Sequence, residues 1–199
     1  MADLDFWYEF ASTYSYLTAM RIEALAEKAG ISVRWKPFLL GPVFQAQGMN
    51  DSPFNIYPVK GANMWRDMER QAEAQEIVFR KPERFPQSGL LAARVATAGG
   101  DAPWVKEFAK KVYVAEFAEG RIISETSVIA DIIESCGQDA DAVFAQAASD
   151  DVKANLRART DEAMAIGLFG APSMVTRDGE LFWGNDRLEA AIAWARQRA

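Results

Sequence analysis

The sequence contains no histidine and a single cysteine, Cys136. Without histidine the chain cannot form a Ser-His-Asp or Cys-His catalytic site, and it lacks the usual ligand of catalytic zinc. One cysteine allows neither an internal disulfide nor a redox-active C-x-x-C pair. If the protein is an enzyme, a serine, a carboxylate or a bound cofactor must therefore carry the chemistry.

Long apolar runs and an excess of positive charge are also missing. No run approaches the ~18 apolar residues of a membrane span, and Asp5 interrupts the apolar start, so neither a span nor a signal peptide is expected. The formal net charge of −6 argues against a nucleic-acid or anionic-membrane partner. The single cysteine fits a reducing cytosol, and a cytoplasmic location is expected.

The composition is that of an ordinary globular protein. The 199 residues are 50% hydrophobic and 25% charged. This length allows one domain with a substantial core, or one domain that carries a large insertion. The order of the predicted elements decides between these two possibilities.

Residues 4–17, with the sequence LDFWYEFASTYSYL, give the strongest local signal. Apolar residues alternate from Leu4 to Tyr8, which predicts a strand. The run STYS that starts at Ser12 supplies helix N-caps, and apolar residues then recur at helical spacing as far as Gly30. A helix N-terminus exposes unpaired N–H groups and the positive end of the helix dipole, which favours an anion. Ser12 is therefore the first candidate for chemistry.

The rest of the chain is predicted from changes in its hydrophobic period. Residues 31–37 form a second strand, parallel to the first because a helix connects the two. Residues 41–58 are rich in Gly, Pro and Asn and are predicted as a long loop. Residues 61–75 are predicted as a helix, residues 79–86 as an extended connector, and residues 88–166 as a series of further helices. Residues 172–176 and 180–183 alternate again, and the Asp-Gly between them predicts an antiparallel hairpin.

The last helix is predicted at 186–198, with Asp186 and Glu189 in capping-box spacing. The order is therefore βαβ, then helices, then αββα. Strands at both ends and none between them predict an α/β thioredoxin-like mixed sheet with a large all-helical insertion. In this prediction, residues 1–40 and 150–199 form the thioredoxin-like domain and residues 41–149 form the helical insertion domain.

Four segments stand in an order that resembles a known family: FWYEFASTYSYL, YPVKG, FGAPSMV and DGELFWGNDRLE. The order is similar to that of 2-hydroxychromene-2-carboxylate isomerases, which belong with kappa-class glutathione transferases in the DsbA-like branch of the thioredoxin superfamily. The resemblance covers essentially the whole chain and is strongest at its two ends. It departs at Thr13, where the family often has proline. This difference affects the geometry of the turn and leaves the hydroxyl of Ser12 in place.

The resemblance implies a glutathione cofactor, a small aromatic carboxylate as substrate, and a homodimer. The expected reaction is cis-trans isomerisation of 2-hydroxychromene-2-carboxylate to trans-o-hydroxybenzylidenepyruvate by reversible addition of the glutathione thiolate. Trp7, Phe44 and Trp65 are predicted to line the aromatic pocket, and no metal site is predicted. Two alternatives stay open: a kappa-type transferase that conjugates glutathione to electrophiles, and a non-redox thioredoxin-fold binding protein.

Ser12 is the expected catalytic residue, because a hydroxyl that donates to the glutathione sulfur beside a helix N-terminus favours the thiolate. The spacing alone favours a plain helix cap, and the resemblance favours the sulfur contact. The resemblance also implies a cis bond before Pro172, with the backbone of Ala171 paired to the cofactor peptide. On the residues alone, a trans proline at the first position of a strand is preferred.

The other expected cofactor contacts lie in two further segments. The N–H groups of Asn185 and Asp186 are expected to hold the γ-glutamyl carboxylate. The Asp186 carboxylate is expected to accept from the ammonium group of the same γ-glutamyl end. The alternative is that these residues are a plain N-cap of the last helix. Lys60 is expected near the glycine carboxylate or the acidic substrate, with a surface lysine of no role as the alternative. Asn55 is expected to supply an amide contact, with Asn50 of the same loop as the alternative.

Overall fold

A computed structural model describes residues 3–198, and four strands in it form one mixed sheet. The strands are β1 (Leu4–Tyr8), β2 (Val33–Pro37), β3 (Ser173–Thr176) and β4 (Leu181–Trp183). Their order across the sheet is β2-β1-β3-β4, with β1 and β2 parallel and the other neighbouring pairs antiparallel. The thioredoxin-like α/β fold and both predicted strand pairings are therefore confirmed.

In the described chain, every regular element between β2 and β3 is a helix. The helices are α1 (Thr13–Ala29), α2 (Leu40–Ala46), α3 (Pro53–Ile56), α4 (Pro58–Ala74), α5 (Leu90–Gly99), α6 (Pro103–Phe117), α7 (Thr126–Ser135), α8 (Ala140–Ala147), α9 (Asp150–Ala165) and, after a single 3₁₀ turn at Asn185–Arg187, α10 (Leu188–Arg196). None of these helices combines the length and the apolar character that a membrane crossing needs. The division into two domains at residues 41 and 149 stays a prediction, and one buried apolar cluster joins residues from both parts.

β1 lies at the centre of the molecule, because its alternate side chains face two separate apolar clusters. Leu4, Phe6 and Tyr8 belong to the larger cluster, which includes aromatic rings of α1 and α6. Trp7 belongs to the smaller cluster on the opposite face and packs edge-on against Phe38. The side chains that are fully buried here are those of Leu4, Phe6, Trp7, Tyr8 and Phe38. Burial on both faces fixes the strand, and it thereby fixes the turn that follows.

That turn leads directly into α1, close to where the sequence predicts the helix. Ser12 is the N-cap residue, and its hydroxyl accepts a hydrogen bond from the Ser15 N–H. Gly30 ends the helix in the left-handed conformation with φ +72°, which glycine adopts without steric cost. The end of β1 and the N-terminus of α1 are therefore held close together by the chain itself.

The prediction of one long loop at residues 41–58 is wrong, because this segment contains most of α2 and all of α3. Ser52 caps α3 by accepting a hydrogen bond from the Phe54 N–H (3.3 Å), and Pro53 occupies the first helical position, where its missing N–H costs nothing. The Gly and Pro content suggested a loop, whereas these residues mark the ends of two short helices.

The predicted capping box of the last helix is also wrong. Asp186 lies in the 3₁₀ turn before α10, and no side chain caps this helix. Glu189 forms a salt bridge with Arg21 of α1 instead. The ion pair holds α10 against α1.

We expect Gly61→Ala to destabilise the protein, although alanine usually stabilises a helix relative to glycine. The new Cβ would overlap with the Phe54 carbonyl oxygen in α3, so the free energy of unfolding should fall by about 1–3 kcal/mol, as for other overpacked sites. The matched control is Gly41→Ala in α2, where a Cβ meets nothing within 4 Å. Urea unfolding should show the control unchanged or up to ~1 kcal/mol more stable. Equal effects in the two variants would contradict this packing.

Candidate active site

A cavity of about 810 Å³ opens where β1 ends and α1 begins. Its lining comes from the β1–α1 turn, the start of α2, the segment 49–54, the loop 85–90 and the segment 169–171. Most of this lining is apolar, and several aromatic rings contribute to it, among them Phe44, Phe169 and Trp183. The rings of Phe169 and Trp183 pack together with centroids 4.9 Å apart, and about half of each side chain is exposed. The cavity therefore suits an aromatic ligand.

Ser12 and Ala171 meet at one end of this cavity. The Ser12 hydroxyl donates to the Ala171 carbonyl oxygen (3.0 Å) while it accepts from the Ser15 N–H (3.3 Å). Ser12 is therefore a helix cap and a lining residue at the same time. The bond between Ala171 and Pro172 is cis, as predicted. Within the described chain, the Ala171 N–H has no hydrogen-bond partner.

Asn185 is placed differently from its predicted use, because its side chain is buried and forms hydrogen bonds through both its amide oxygen and its amide nitrogen. Its carbonyl oxygen accepts from Thr18 (3.0 Å) and from Arg21 (3.3 Å), both in α1. Its amide nitrogen donates to Gln71 of α4 (2.7 Å). The side chain thus connects three elements, and the backbone N–H of Asn185 has no protein partner among the described residues.

Asp186 is exposed. Asn185, Asp186 and Pro172 all lie outside the cavity lining. The turn that contains it is still adjacent to the site, because the Gly184 N–H donates to the Pro172 carbonyl oxygen (3.0 Å). Tyr14 lines the cavity, and its pKa is raised mainly by burial. Its hydrogen bond to Asp67, the charge of Asp67 and the charge of Asp186 raise the pKa further. Asp186 is therefore near enough to influence the cavity electrostatically.

Lys60 lines the cavity and Asn55 does not. The Lys60 ammonium lies 5.5 Å from the centre of the Tyr57 ring, and it forms no salt bridge with any described residue. The amide of Asn55 donates to Asp51 (3.1 Å) and to the Phe85 carbonyl oxygen (3.3 Å). Asn55 therefore joins α3 to the loop 85–90.

Of the three predicted pocket aromatics, only Phe44 lines the cavity, and the assignments of Trp7 and Trp65 are wrong. Trp7 is fully buried in the smaller apolar cluster. Trp65 packs against Phe79 and Phe85. Both rings serve the core.

A family model described as a DSBA-like thioredoxin domain matches residues 3–192. The chain belongs to this family. It is 30% identical over 187 residues to a 2-hydroxychromene-2-carboxylate isomerase of Sphingobium xenophagum, with 94% of each chain covered. It is 28% identical to glutathione S-transferase kappa 2 of Caenorhabditis elegans, over 92% of this chain and 87% of that protein. A solved 2-hydroxychromene-2-carboxylate isomerase structure matches with a TM-score of 0.87 at 27% identity, covering 98% of this chain and 97% of that one. The expectations of this family and of an isomerase are confirmed.

The site of this DSBA-like protein contains an acid that sequence reasoning missed. Glu9 lines the cavity, and its Oε2 accepts a hydrogen bond from the Ala11 N–H (2.9 Å). Part of its surface faces the cavity, but protein atoms surround the carboxyl, and this burial raises its pKa to about 8 against the opposite effect of the Ala11 hydrogen bond. The only sequence signal is its position, directly after the buried strand and three residues before Ser12.

A second carboxyl, that of Glu116, is also buried in α6. Neither of its oxygens has a hydrogen-bond partner among the described residues. Its pKa is raised well above the ordinary value, first by burial and second by the charge of Glu9. Buried carboxyls with raised pKa values hold their protons at neutral pH.

We expect the free energy of unfolding to fall as the pH rises from about 5 toward 8. Between the ordinary glutamate pKa of 4.5 and the raised pKa of Glu9, about 8, the folded state holds protons that the unfolded state has released. Each such group lowers the stability by about 1.4 kcal/mol per pH unit across its window. Glu116→Gln should remove the contribution of Glu116 to this decline, which urea unfolding at several pH values measures.

The matched control is Glu73→Gln, since Glu73 is an exposed glutamate of α4. This variant should keep the wild-type decline. A decline that is unchanged in Glu116→Gln would contradict a neutral, buried Glu116.

Proposed function

We propose that this protein is a glutathione-dependent cis-trans isomerase of aromatic catabolism that acts on 2-hydroxychromene-2-carboxylate or a close relative. One observation supports this most: the Ser12 hydroxyl, the unpaired Ala171 N–H and the start of α1 meet at one end of an aromatic cavity. A bound thiol peptide and an aromatic carboxylate need these groups side by side. The isomerase relative with 30% identity supports the same reaction. The cytoplasmic location and the homodimer stay predictions.

The backbone groups at the site fit a tripeptide thiol. The N–H and C=O of Ala171 would pair with the cysteinyl residue in the manner of an added strand, and Ser12 would donate to the sulfur. A hydroxyl has one proton, and Ser12 donates it to the Ala171 oxygen in the free protein. Binding therefore requires the hydroxyl to turn toward the sulfur. The Ala171 oxygen then becomes available to a peptide N–H.

The two charged ends of glutathione would lie on either side of Ser12 and Ala171. The unpaired N–H groups of Asn185 and Asp186, with the Asp186 carboxylate, suit the zwitterionic γ-glutamyl end. Lys60, which has no ion-pair partner among the described residues, suits a carboxylate of the cofactor or the substrate. We assign no cofactor contact to Asn55, because its amide is used within the protein.

When bound, glutathione would supply a thiolate that adds reversibly to the substrate double bond, allows rotation about the resulting single bond, and is then released unchanged. The part of the protein is to stabilise charge on sulfur, since a free thiol has a pKa near ~8.5. The N-terminus of α1 and the Ser12 hydroxyl both favour the charged form. Neither effect requires histidine, because solvent can accept the proton. The aromatic lining would orient the substrate ring next to this end of the cavity.

The experiment that tests the proposal is turnover of 2-hydroxychromene-2-carboxylate with and without glutathione, with free glutathione measured before and after. We expect product formation to depend on glutathione while its amount stays constant. Loss of glutathione in proportion to product would show a transferase, the activity named for the kappa relative. If glutathione changes neither turnover nor thermal stability, the protein is a non-redox binding protein, since a ligand at 100 times its dissociation constant adds ~2.7 kcal/mol.

We expect Ser12→Ala to lower kcat far more than it raises the KM for glutathione. Loss of a hydrogen bond to a charged group costs roughly 1.5–3 kcal/mol, which is about ten- to more than a hundredfold in rate. Most of the binding energy should come from the backbone of Ala171 and from the turn at 184–186, which the substitution leaves in place. Steady-state kinetics and urea unfolding measure the two effects.

The matched control is Ser149→Ala. Ser149 caps α9 with the same geometry, because its hydroxyl accepts from the Val152 N–H at 3.3 Å, and it lies away from the cavity. Both variants should lose ~1 kcal/mol of stability as lost caps. If Ser12→Ala behaves like Ser149→Ala in kinetics, Ser12 is only a cap.

We expect Lys60→Gln to raise the KM for an anionic ligand by up to about fivefold with little change in kcat, since an exposed ion pair is worth up to ~1 kcal/mol. The increase should shrink in high salt, because salt screens exposed charges. Lys81→Gln is the control, since the Lys81 ammonium also lies over an aromatic ring, that of Trp65 at 5.1 Å, but outside the cavity lining. Equal KM values for the two variants would show that Lys60 does not contribute to binding of the anionic ligand.

A further inference from the structure

We propose that Glu9 is held in the cavity as a neutral carboxylic acid and donates a hydrogen bond to an anionic oxygen of the carboxylate substrate. The substrate class rests on the proposed function, whereas the neutral state of Glu9 rests on the structure around it. The proposal adds a substrate-binding residue that neither the strand pattern nor the cofactor contacts include.

The position of Glu9 is fixed from several directions. The residue follows the last residue of β1, and its backbone oxygen accepts from the Ser12 N–H (3.0 Å) and from the Tyr113 hydroxyl (2.9 Å). Its Oε2 accepts from the Ala11 N–H (2.9 Å), which leaves Oε1 as the oxygen that can carry a proton. The carboxyl thus lines the same end of the cavity as Ser12.

The loop across the cavity leaves room for this carboxyl. Gly89 packs so closely that a Cβ there would lie 3.0 Å from Oε1 of Glu9 and 2.8 Å from the Phe10 Cβ. Any side chain at this position would therefore push against the acid or its neighbour. Glycine at this position leaves the space beside Oε1 free of a side chain.

The surroundings of Glu9 favour the protonated form. No described cation forms a salt bridge with it, and the titratable groups of α6 that are coupled to it are Tyr113 and Glu116. Neither of these two groups carries a positive charge. Within the cavity, the other charged groups are Asp51 and Lys60. Burial raises the pKa of Glu9 to about 8, so the acid keeps its proton at neutral pH.

A neutral acid changes what the cavity can bind. An ionised Glu9 would repel both a thiolate and a substrate carboxylate, whereas the neutral form offers an O–H donor to an oxygen anion. Addition to a double bond conjugated with a carbonyl group builds negative charge on the carbonyl oxygen. A buried carboxylic acid that stays protonated is an established type of donor to such an oxygen.

Two substitutions separate the proton from the side chain. Glu9→Gln keeps the size and a hydrogen-bond donor but cannot ionise, and Glu9→Leu removes the donor. Glu73→Gln is the control for an exposed glutamate, and Glu116→Gln is the control for a buried carboxyl outside the cavity lining.

The first readout is binding of trans-cinnamate, a simple aromatic carboxylate, to the protein without glutathione. We expect wild-type affinity to fall as the pH passes about 8, where Glu9 ionises. Glu9→Gln should bind with no such fall, and Glu9→Leu should bind about tenfold or more weakly at neutral pH. Both controls should keep the wild-type pH dependence. A fall that persists in Glu9→Gln, or disappears in Glu116→Gln, overturns the proposal.

The second readout is carboxyl ¹³C NMR of protein labelled in glutamate, which does not depend on any activity. We expect one resonance to titrate near pH 8 in the wild type and to be absent in Glu9→Gln. If the resonance lost in Glu9→Gln titrates near the ordinary value of 4.5, the neutral acid is refuted. Failure of the isomerase assay alone would contradict the proposed function, and these two readouts would still decide the state of Glu9.

Discussion

The hydrogen bond from the Ser12 hydroxyl to the Ala171 oxygen joins residues that are 159 positions apart in the sequence. It exists because β1 and β3 pair antiparallel, with Trp7 opposite Ser173, so that the end of one strand meets the start of the other. Burial of β1 on both faces keeps this register. The proposed cofactor site depends on the same strand pairing, since the pairing brings the hydroxyl close to the free backbone N–H of Ala171.

The site would hold anions in a chain whose formal net charge is −6, and it would do so with little positive charge. Lys60 is the cation that lines the cavity among the described residues, and the rest of the attraction comes from the N-terminus of α1 and unpaired N–H groups. Glu9 fits this arrangement only as a neutral acid. In the proposed mechanism, the electrostatics of the site therefore rest on backbone dipoles and on protonation of a buried carboxyl, and neither requires histidine.

The sequence predicted the parts of the site that short-range patterns encode. Ser12 follows a strand and precedes a helix, and alternation and helical spacing are visible in single segments. Asn185 shows what such patterns miss, because its side chain bonds to Thr18 and Gln71, which lie far away in the sequence. Glu9 was missed for a similar reason: only the folded chain places α6 and Gly89 around its carboxyl. The short helices at residues 41–58 were missed because Gly and Pro occur at helix ends as well as in loops.

The most direct test of the central claim is a pH titration of the thiol of glutathione bound to the protein, followed by the ultraviolet absorbance of the thiolate. We expect the bound thiol to have a pKa below the unperturbed value of ~8.5, because the start of α1 and the Ser12 hydroxyl both stabilise the charged sulfur. A pKa equal to that of free glutathione, measured with the cofactor fully bound, would contradict the claim that this site activates the thiol.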